Sequence, residues 1–407
     1  MSTAALLLAG LVLLVVGGEL LVRGASSLAR RFGISPLVVG LTVVSFATSA
    51  PELAVTLQAV EDGSPELAIG NVVGSNIANI LLVLGVAALV VPLTVKSRVV
   101  KQDIPVMIGM SILLFVFAYD LNVSRGEAAI LFALLCAYVV RAVITSRREN
   151  AAGRKVPVQS DPFVDPPTAA ATAPRPEPGS FAAENRTDHL PEDLEPVAPP
   201  KREKPPGSPV VAVLLVGIGV VMLVFGAQLL VTAAQDVARA FGISELVIGL
   251  TVVAVGTSLP ELTAGVIAAL RGERDLAVGN AVGSNIFNIG AVIGLSGMVV
   301  VGGLPIPQSA VSFDLILMIL TAILLLPLAF TAFRLSRFEG GLLLLCYITY
   351  TTYLLLDSTG HDQLDSFTSV VMWIAAPALL LVLVVGVVLD LAQRRRNADD
   401  AVVAPDG

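Results

Sequence analysis

The feature that most constrains this chain is an internal duplication. At a fixed offset of 209, residues 40–85 align without a gap on residues 249–294, and 25 of the 46 pairs are identical. The match reaches back through Phe32-Gly33-Ile34-Ser35 and Phe241-Gly242-Ile243-Ser244. One structural unit is therefore used twice. Both copies are very apolar: the 407-residue chain is 55% hydrophobic against 14% charged, with a mean hydropathy of +0.86. Apolar runs fall at 4–22, 36–60, 66–92, 103–119, 127–146, 209–232, 244–270, 275–301, 310–330, 339–356 and 367–391. Each is close to the roughly 20 residues that a helix needs to cross a bilayer. These eleven spans exclude a soluble enzyme. A net charge of −7 and the lack of a basic, aromatic-rich stripe exclude a nucleic-acid partner. The first run has neither a basic leader nor a small-residue cleavage site, so it reads as a retained helix. Cys136 and Cys346 each sit alone in an apolar run and read as small core hydrophobes.

Charge sets the direction of the spans. Arg23, Arg30 and Arg31 follow span one; Lys96, Arg98 and Lys101 follow span three; Arg147 and Arg148 follow span five. Arg271 and Arg274 follow span seven, Arg334 and Arg337 span nine, and Arg394, Arg395 and Arg396 span eleven. The intervening loops carry Glu61, Asp62, Asp120, Asp357, Asp362 and Asp365. Basic loops face the cytoplasm, so the expectation is a multi-pass protein of the plasma (inner) membrane with its N-terminus outside and its C-terminus inside. Residues 147–208 hold 13 of the 25 prolines with mixed charge and few large apolar side chains, which predicts a disordered, Pro-rich cytoplasmic linker. The expected organisation is a first repeat over 1–146 (spans one to five), the linker over 147–208, a second repeat over 209–356 (spans six to ten), and span eleven with a cytoplasmic tail over 357–407.

Five spans per repeat is an odd number, so the second repeat must thread the membrane in the opposite sense to the first. The predicted fold is an all-α membrane protein: a ten-helix core of two inverted five-helix repeats plus an extra C-terminal transmembrane helix. Inverted repeats are an architecture of secondary transporters.

Two segments of each repeat are polar where a lipid-facing helix should not be. They read Ala47-Thr48-Ser49-Ala50-Pro51-Glu52 and Gly70-Asn71-Val72-Val73-Gly74-Ser75-Asn76-Ile77-Ala78-Asn79 in the first repeat. In the second they read Gly256-Thr257-Ser258-Leu259-Pro260-Glu261 and Gly279-Asn280-Ala281-Val282-Gly283-Ser284-Asn285-Ile286-Phe287-Asn288. Pro51 and Pro260 remove a backbone donor and break the helix, which is tolerated at membrane depth only inside protein or beside a cavity. Thr48 and Glu52, and likewise Ser75 and Asn79, share a helix face if the helix between them is regular. Glycine and serine alone would be explained by helix packing. A carboxylate near the bilayer centre costs at least roughly 2.5 kcal/mol, and Glu52 and Glu261 repeat that cost symmetrically, which points to function. Glu19, four residues before Arg23, reads instead as a paired or snorkelling charge, and Asp103 and Asp314 read as interfacial. Carboxylate, hydroxyl and amide oxygens without His or Cys suit hard cations, Ca2+ more than Mg2+. Two glutamates neutralise one divalent ion, two monovalent ions or two protons. An empty site with both carboxylates ionised is costly to move between the two sides of the membrane, whereas a loaded one is not.

At these residues the chain resembles the cation/calcium exchanger superfamily, specifically the prokaryotic sodium/calcium antiporters. The resemblance implies that Thr48, Ser49, Glu52, Ser75 and Asn79 in one half, and Thr257, Ser258, Glu261, Ser284 and Asn288 in the other, line the ion sites. It further implies sodium ligands from the backbone carbonyls of Ser45 and Ala254, central calcium ligation by Glu52 and Glu261, and sliding of spans one and six against the core. Many sodium/calcium exchangers carry Asp where this chain has Asn288, so one carboxylate fewer stands at the centre. The function expected is Na+/Ca2+ exchange by alternating access, with H+/Ca2+ exchange through the same two glutamates as the alternative. A passive channel would not need the inverted pair, and no nucleophile–base or His-Glu-x-x-His motif suggests an enzyme. Ca2+ and Na+ are expected as transported ions rather than cofactors, the lipid bilayer as the surrounding partner, and no protein or nucleic-acid partner.

Overall fold

The computed structural model describes residues 3–153, 208–241 and 254–403. Among these, ten helices are long and apolar enough to cross a membrane. They are Thr3–Phe32, Pro36–Glu61, Leu67–Val90, Val99–Asp120, Arg125–Glu149, Pro209–Val237, Arg274–Val299, Ala310–Phe330, Arg337–Ser358 and Leu364–Ala392. Span seven is described only from Ala254, as the short helices Ala254–Thr257 and Leu259–Leu270; its first part lies outside the described residues. The helix of span five continues to Gly153, and the rest of the expected linker, 154–207, also lies outside them.

Span one runs ten residues past its apolar stretch, to Phe32. Its second half is held by protein rather than lipid, since Gly24, Ala25, Ser26, Ser27, Leu28 and Ala29 are all buried. Spans one and six lie backbone to backbone along their length. A Cβ on Gly17 would stand 2.9 Å from the Gly219 carbonyl oxygen, and one on Gly219 would stand 2.7 Å from that of Gly17. Only glycine permits that approach. The lipid-facing side of span one shows Leu8, Leu11, Val12 and Val15.

Two short antiparallel ladders report the inversion directly. Leu93–Thr94, after span three, pairs with Arg334–Leu335, after span nine; Asn122–Val123, after span four, pairs with Leu304–Pro305, after span eight. Repeat equivalence makes these the same ladder built twice, once on each face. Ion pairs agree: Lys96 Nζ lies 2.6 Å from Asp275 Oδ2, Arg30 lies 4.0 Å from Glu273, and Glu19 bridges Arg23 and Arg271. The ends of spans one, three, seven and nine therefore share one face, and those of spans four and eight the other.

Span eleven touches spans nine and ten at the periphery and buries none of its apolar window; its Trp373 is 82% exposed. Cys136 is exposed rather than a core residue, because it faces outward from span five, and Cys346 is half-buried.

Candidate ion-binding site

The centre is built where two helices break. In span two the helix Pro36–Val39 widens into a π turn over Gly40–Val44, resumes over Ser45–Thr48, and stops at Ser49 before restarting as Ala50–Glu61. Pro51 has no N–H for the Ala47 carbonyl, so the chain turns at Ser49 with φ −85° and ψ 0°. Ser258 repeats the turn at φ −89° and ψ 3°. The helix between Thr48 and Glu52 is thus not regular, and the proviso on their sharing a face is not met. The break instead sets Glu52 and Glu261 in the first turn of a new helix, whose N-terminal dipole favours a carboxylate. In spans three and eight the helices Pro65–Ala78 and Arg274–Phe287 pass into π turns over Asn79–Leu84 and Asn288–Ile293. Such turns expose extra carbonyl surface and recur at functional sites.

Span two crosses span eight. A Cβ on Gly279 would stand 2.6 Å from the Leu37 carbonyl oxygen, so glycine lets span eight press onto the backbone of span two. Across this crossing the Thr48 and Ser284 hydroxyls lie 3.4 Å apart, and Thr48 donates to Asn280 Oδ1 at 3.4 Å. Ser45 Oγ donates to the carbonyls of Gly40 (2.7 Å) and Asn280 (3.1 Å). The Ser45 carbonyl accepts the Ser49 N–H at 2.9 Å and lies 3.5 Å from the Thr48 hydroxyl. Ser45, Thr48, Ser49, Glu52, Ser75, Asn79, Ser258, Glu261, Ser284 and Asn288 are all buried, and Glu52 and Glu261 are each 1% exposed. Thr257 is partly exposed, and Ala254 opens its short helix.

What distinguishes this crossing is how few of its polar atoms are satisfied. Both carboxylate oxygens of Glu52 and of Glu261, the hydroxyls of Ser49, Ser75 and Ser258, both amide atoms of Asn79, and Oδ1 of Asn285 and Asn288 are buried without a hydrogen-bond partner. Buried polar groups are normally paired, and a carboxylate without a partner is the costliest case. Oxygens of these three kinds suit a hard cation. Among the described residues no group of three or more His, Cys, Asp or Glu side chains gathers.

The family model described as sodium/calcium exchanger protein matches residues 2–144 and 211–356. The chain belongs to this family. It is 34% identical over 373 residues to the sodium/calcium exchanger MaX1 of Methanosarcina acetivorans, covering 86% of this chain and 97% of that protein. It is 37% identical over 320 residues to the inner membrane protein YrbG of Escherichia coli, covering 79% and 86%. Among solved structures, the sodium-calcium exchanger NCX_Mj superposes with a TM-score of 0.63 at 28% identity, over 85% of this chain and 96% of that one. The protein is thus a multi-pass membrane antiporter of the cation/calcium exchanger superfamily, a transporter and not an enzyme.

The exchanger uses residues of its motifs that the sequence reading had passed over. Asn280 receives Thr48, whereas its repeat partner Asn71 donates to the Glu52 carbonyl (3.1 Å) and to Thr56 Oγ1 (3.0 Å). Asn76 and Asn285 each donate to a methionine sulfur. The four form two identical repeat pairs, Asn71 with Asn280 and Asn76 with Asn285, which was the signal available. Asp103 corrects the interfacial reading: it is fully buried and accepts the Tyr138 hydroxyl at 3.0 Å, with Arg98 4.0 Å away. The helix of span four begins a turn earlier than its apolar run, with a π turn over Val99–Asp103, and this carries the carboxylate beneath span five. Asp314 is half-buried. Glu19 is paired as expected, with Arg271 as a second partner.

Proposed function

We propose that this exchanger moves Ca2+ out of the cell against inward Na+ across the plasma (inner) membrane. The two ions would compete for the oxygens around Glu52 and Glu261 and would be exposed to one side at a time. The observation that carries this reading is the pair of buried carboxylates without protein partners. Ordering them in low dielectric is unfavourable until a cation enters, so a loaded site can change sides and an empty one cannot. Ser49, Ser75, Asn79, Ser258 and Asn288 would complete the coordination, with Thr48, Thr257, Ser284 and the carbonyls of Ser45 and Ala254 as further ligands. Ca2+ accepts such a flexible set of oxygens more readily than Mg2+. The likeness to the sodium/calcium exchangers MaX1 and NCX_Mj supports sodium as the counter-ion. Two carboxylates balance one Ca2+ or two Na+, which makes the expected exchange two for one and electroneutral. The basic ends of spans one, three, five, seven and nine would face the cytoplasm.

The test is radiolabelled Ca2+ uptake into proteoliposomes loaded with Na+ or K+ at equal pH, repeated with a pH gradient and no Na+. Uptake that needs internal Na+ is the expected result. Uptake driven by the pH gradient alone would replace this reading with proton coupling through the same two glutamates.

A further inference from the structure

Two methionine sulfurs flank the cage of oxygens. Met107 of span four is fully buried and Met318 of span nine is 2% exposed. Each stands one helical turn after a π turn, four residues beyond Asp103 and Asp314 respectively, so the two occupy matching places in the two repeats. Met318 Sδ accepts from Asn76 Nδ2 at 3.3 Å, and Met107 Sδ from Asn285 Nδ2 at 3.4 Å. A thioether has no hydrogen to give. The group facing it must be the amide nitrogen, so each asparagine oxygen is turned the other way.

Up to this point the two halves agree, and beyond it they part. Asn76 Oδ1 accepts Asn288 Nδ2 at 3.1 Å, which leaves Asn288 Oδ1 buried and without a partner. Asn285 Oδ1 has no hydrogen-bond partner, and neither amide atom of Asn79, the repeat partner of Asn288, has one. Only the Asn288 side therefore has a chain of three groups, which crosses between the repeats from the thioether of Met318 to the amide of Asn76 and on to that of Asn288, with every donor pointing the same way. An asparagine amide has nearly the same shape in either orientation, yet one presents an acceptor and the other a donor. Toward a cation the first attracts and the second repels.

Resting on the ion-site reading above, we propose that Met318 is a positioning residue for cation affinity: acting through Asn76, it holds Asn288 with its oxygen rather than its nitrogen toward the ion. Leucine at 318 keeps the volume and removes the acceptor. Asn76 then loses its reason to keep its nitrogen on that side, and Asn288 loses the acceptor that orients it.

The experiment measures the Ca2+ KM of Na+-driven uptake for the wild type, Met318→Leu, Asn288→Asp and the double variant, each checked by its melting transition. Met318→Leu is expected to raise the KM roughly two- to tenfold, the worth of one oriented hydrogen bond, with little change in maximal rate. In the Asn288→Asp background the same substitution should leave the KM unchanged. A carboxylate offers oxygen in either orientation and draws the Asn76 nitrogen toward itself, away from Met318. Asn76→Leu removes the acceptor of Asn288 directly and should reproduce the KM rise, which covers the case of a Met318 variant that does not fold. An equal rise in both backgrounds would mean plain packing and would overturn the proposal, as would an unchanged KM in the Asn288 chain. Glu261→Gln, run in parallel, separates the two readings. Normal exchange by that variant removes the ion site itself, whereas its failure beside a silent Met318→Leu removes only the relay.

Discussion

The two halves of the centre share a sequence but not a bonding pattern. Their carboxylates are alike: Glu52 and Glu261 each start a helix after the same proline break, each is 1% exposed, and each lacks a hydrogen-bond partner. Their amides differ. Asn79 has both amide atoms unpartnered, while Asn288 is tied through Asn76 to Met318. Asn280 meets Thr48 across the crossing, while Asn71 stays within its own repeat. Duplication thus supplied two equivalent charges, and the amide side chains around them have diverged in bonding without diverging in identity. On the proposed reading, the charges would set what the site can hold, and the amides how tightly each half holds it.

The sharpest way to break this comparison is to remove one charge at a time. Glu52→Gln and Glu261→Gln should each lower exchange at least about 100-fold, since breaking a buried charge pair costs about 3–5 kcal/mol. Equivalence requires the two losses to be similar in flux measurements; a large difference would mean that one carboxylate serves a different step. Adding a charge is the next test. Asn79→Asp and Asn288→Asp each bring a third carboxylate, so exchange that is indifferent to voltage in the wild type should become voltage-dependent. One charge crossing the full field is worth about 2.3 kcal/mol per 100 mV, enough for a severalfold change in rate under a potassium clamp. Asn79→Asp displaces no partner, while Asn288→Asp must turn Asn76, so the second should change Ca2+ affinity more. Voltage-driven transport by the wild type would show that two carboxylates are the wrong count.

How much of this was legible in the sequence follows the range of each interaction. The duplication, the proline breaks, the oxygen-rich motifs and the inversion are carried by local text and by loop charge, and Lys96–Asp275 and the two loop ladders bear out the relative sidedness read from Arg and Lys. The lengths of spans one and four were misread because span one continues on protein contacts after its apolar run ends and span four begins a turn before its own, which is why Asp103 is buried rather than interfacial. The links from Asn76 to Met318 and from Thr48 to Asn280 join residues 242 and 232 positions apart. No periodicity reports such pairs. Methionine in an apolar helix carries no mark of being an acceptor, so the relay became visible only when the second repeat was folded against the first.

The smallest expected effect lies away from the ions, in a carboxylate–tyrosine pair that the duplication also copied. Asp103 accepts Tyr138 from span five, and Asp314 lies near Tyr350 of span ten at the matching place. The burial differs: Asp103 is fully buried, with Arg98 4.0 Å from its second oxygen, whereas Asp314 is only half-buried. Removing a donor from a buried charged acceptor costs about 1–3 kcal/mol, because the acceptor is left desolvated. Asp314 takes no hydrogen bond from Tyr350 and is half-exposed, so that loss does not arise there. Tyr138→Phe should therefore lower the denaturation midpoint in detergent measurably, and Tyr350→Phe should lower it less, with the Ca2+ KM unchanged in both. Equal shifts would mean that burial does not separate the two copies. A KM that moved with Tyr138→Phe would mean that span four reaches the ion cage through more than Met107.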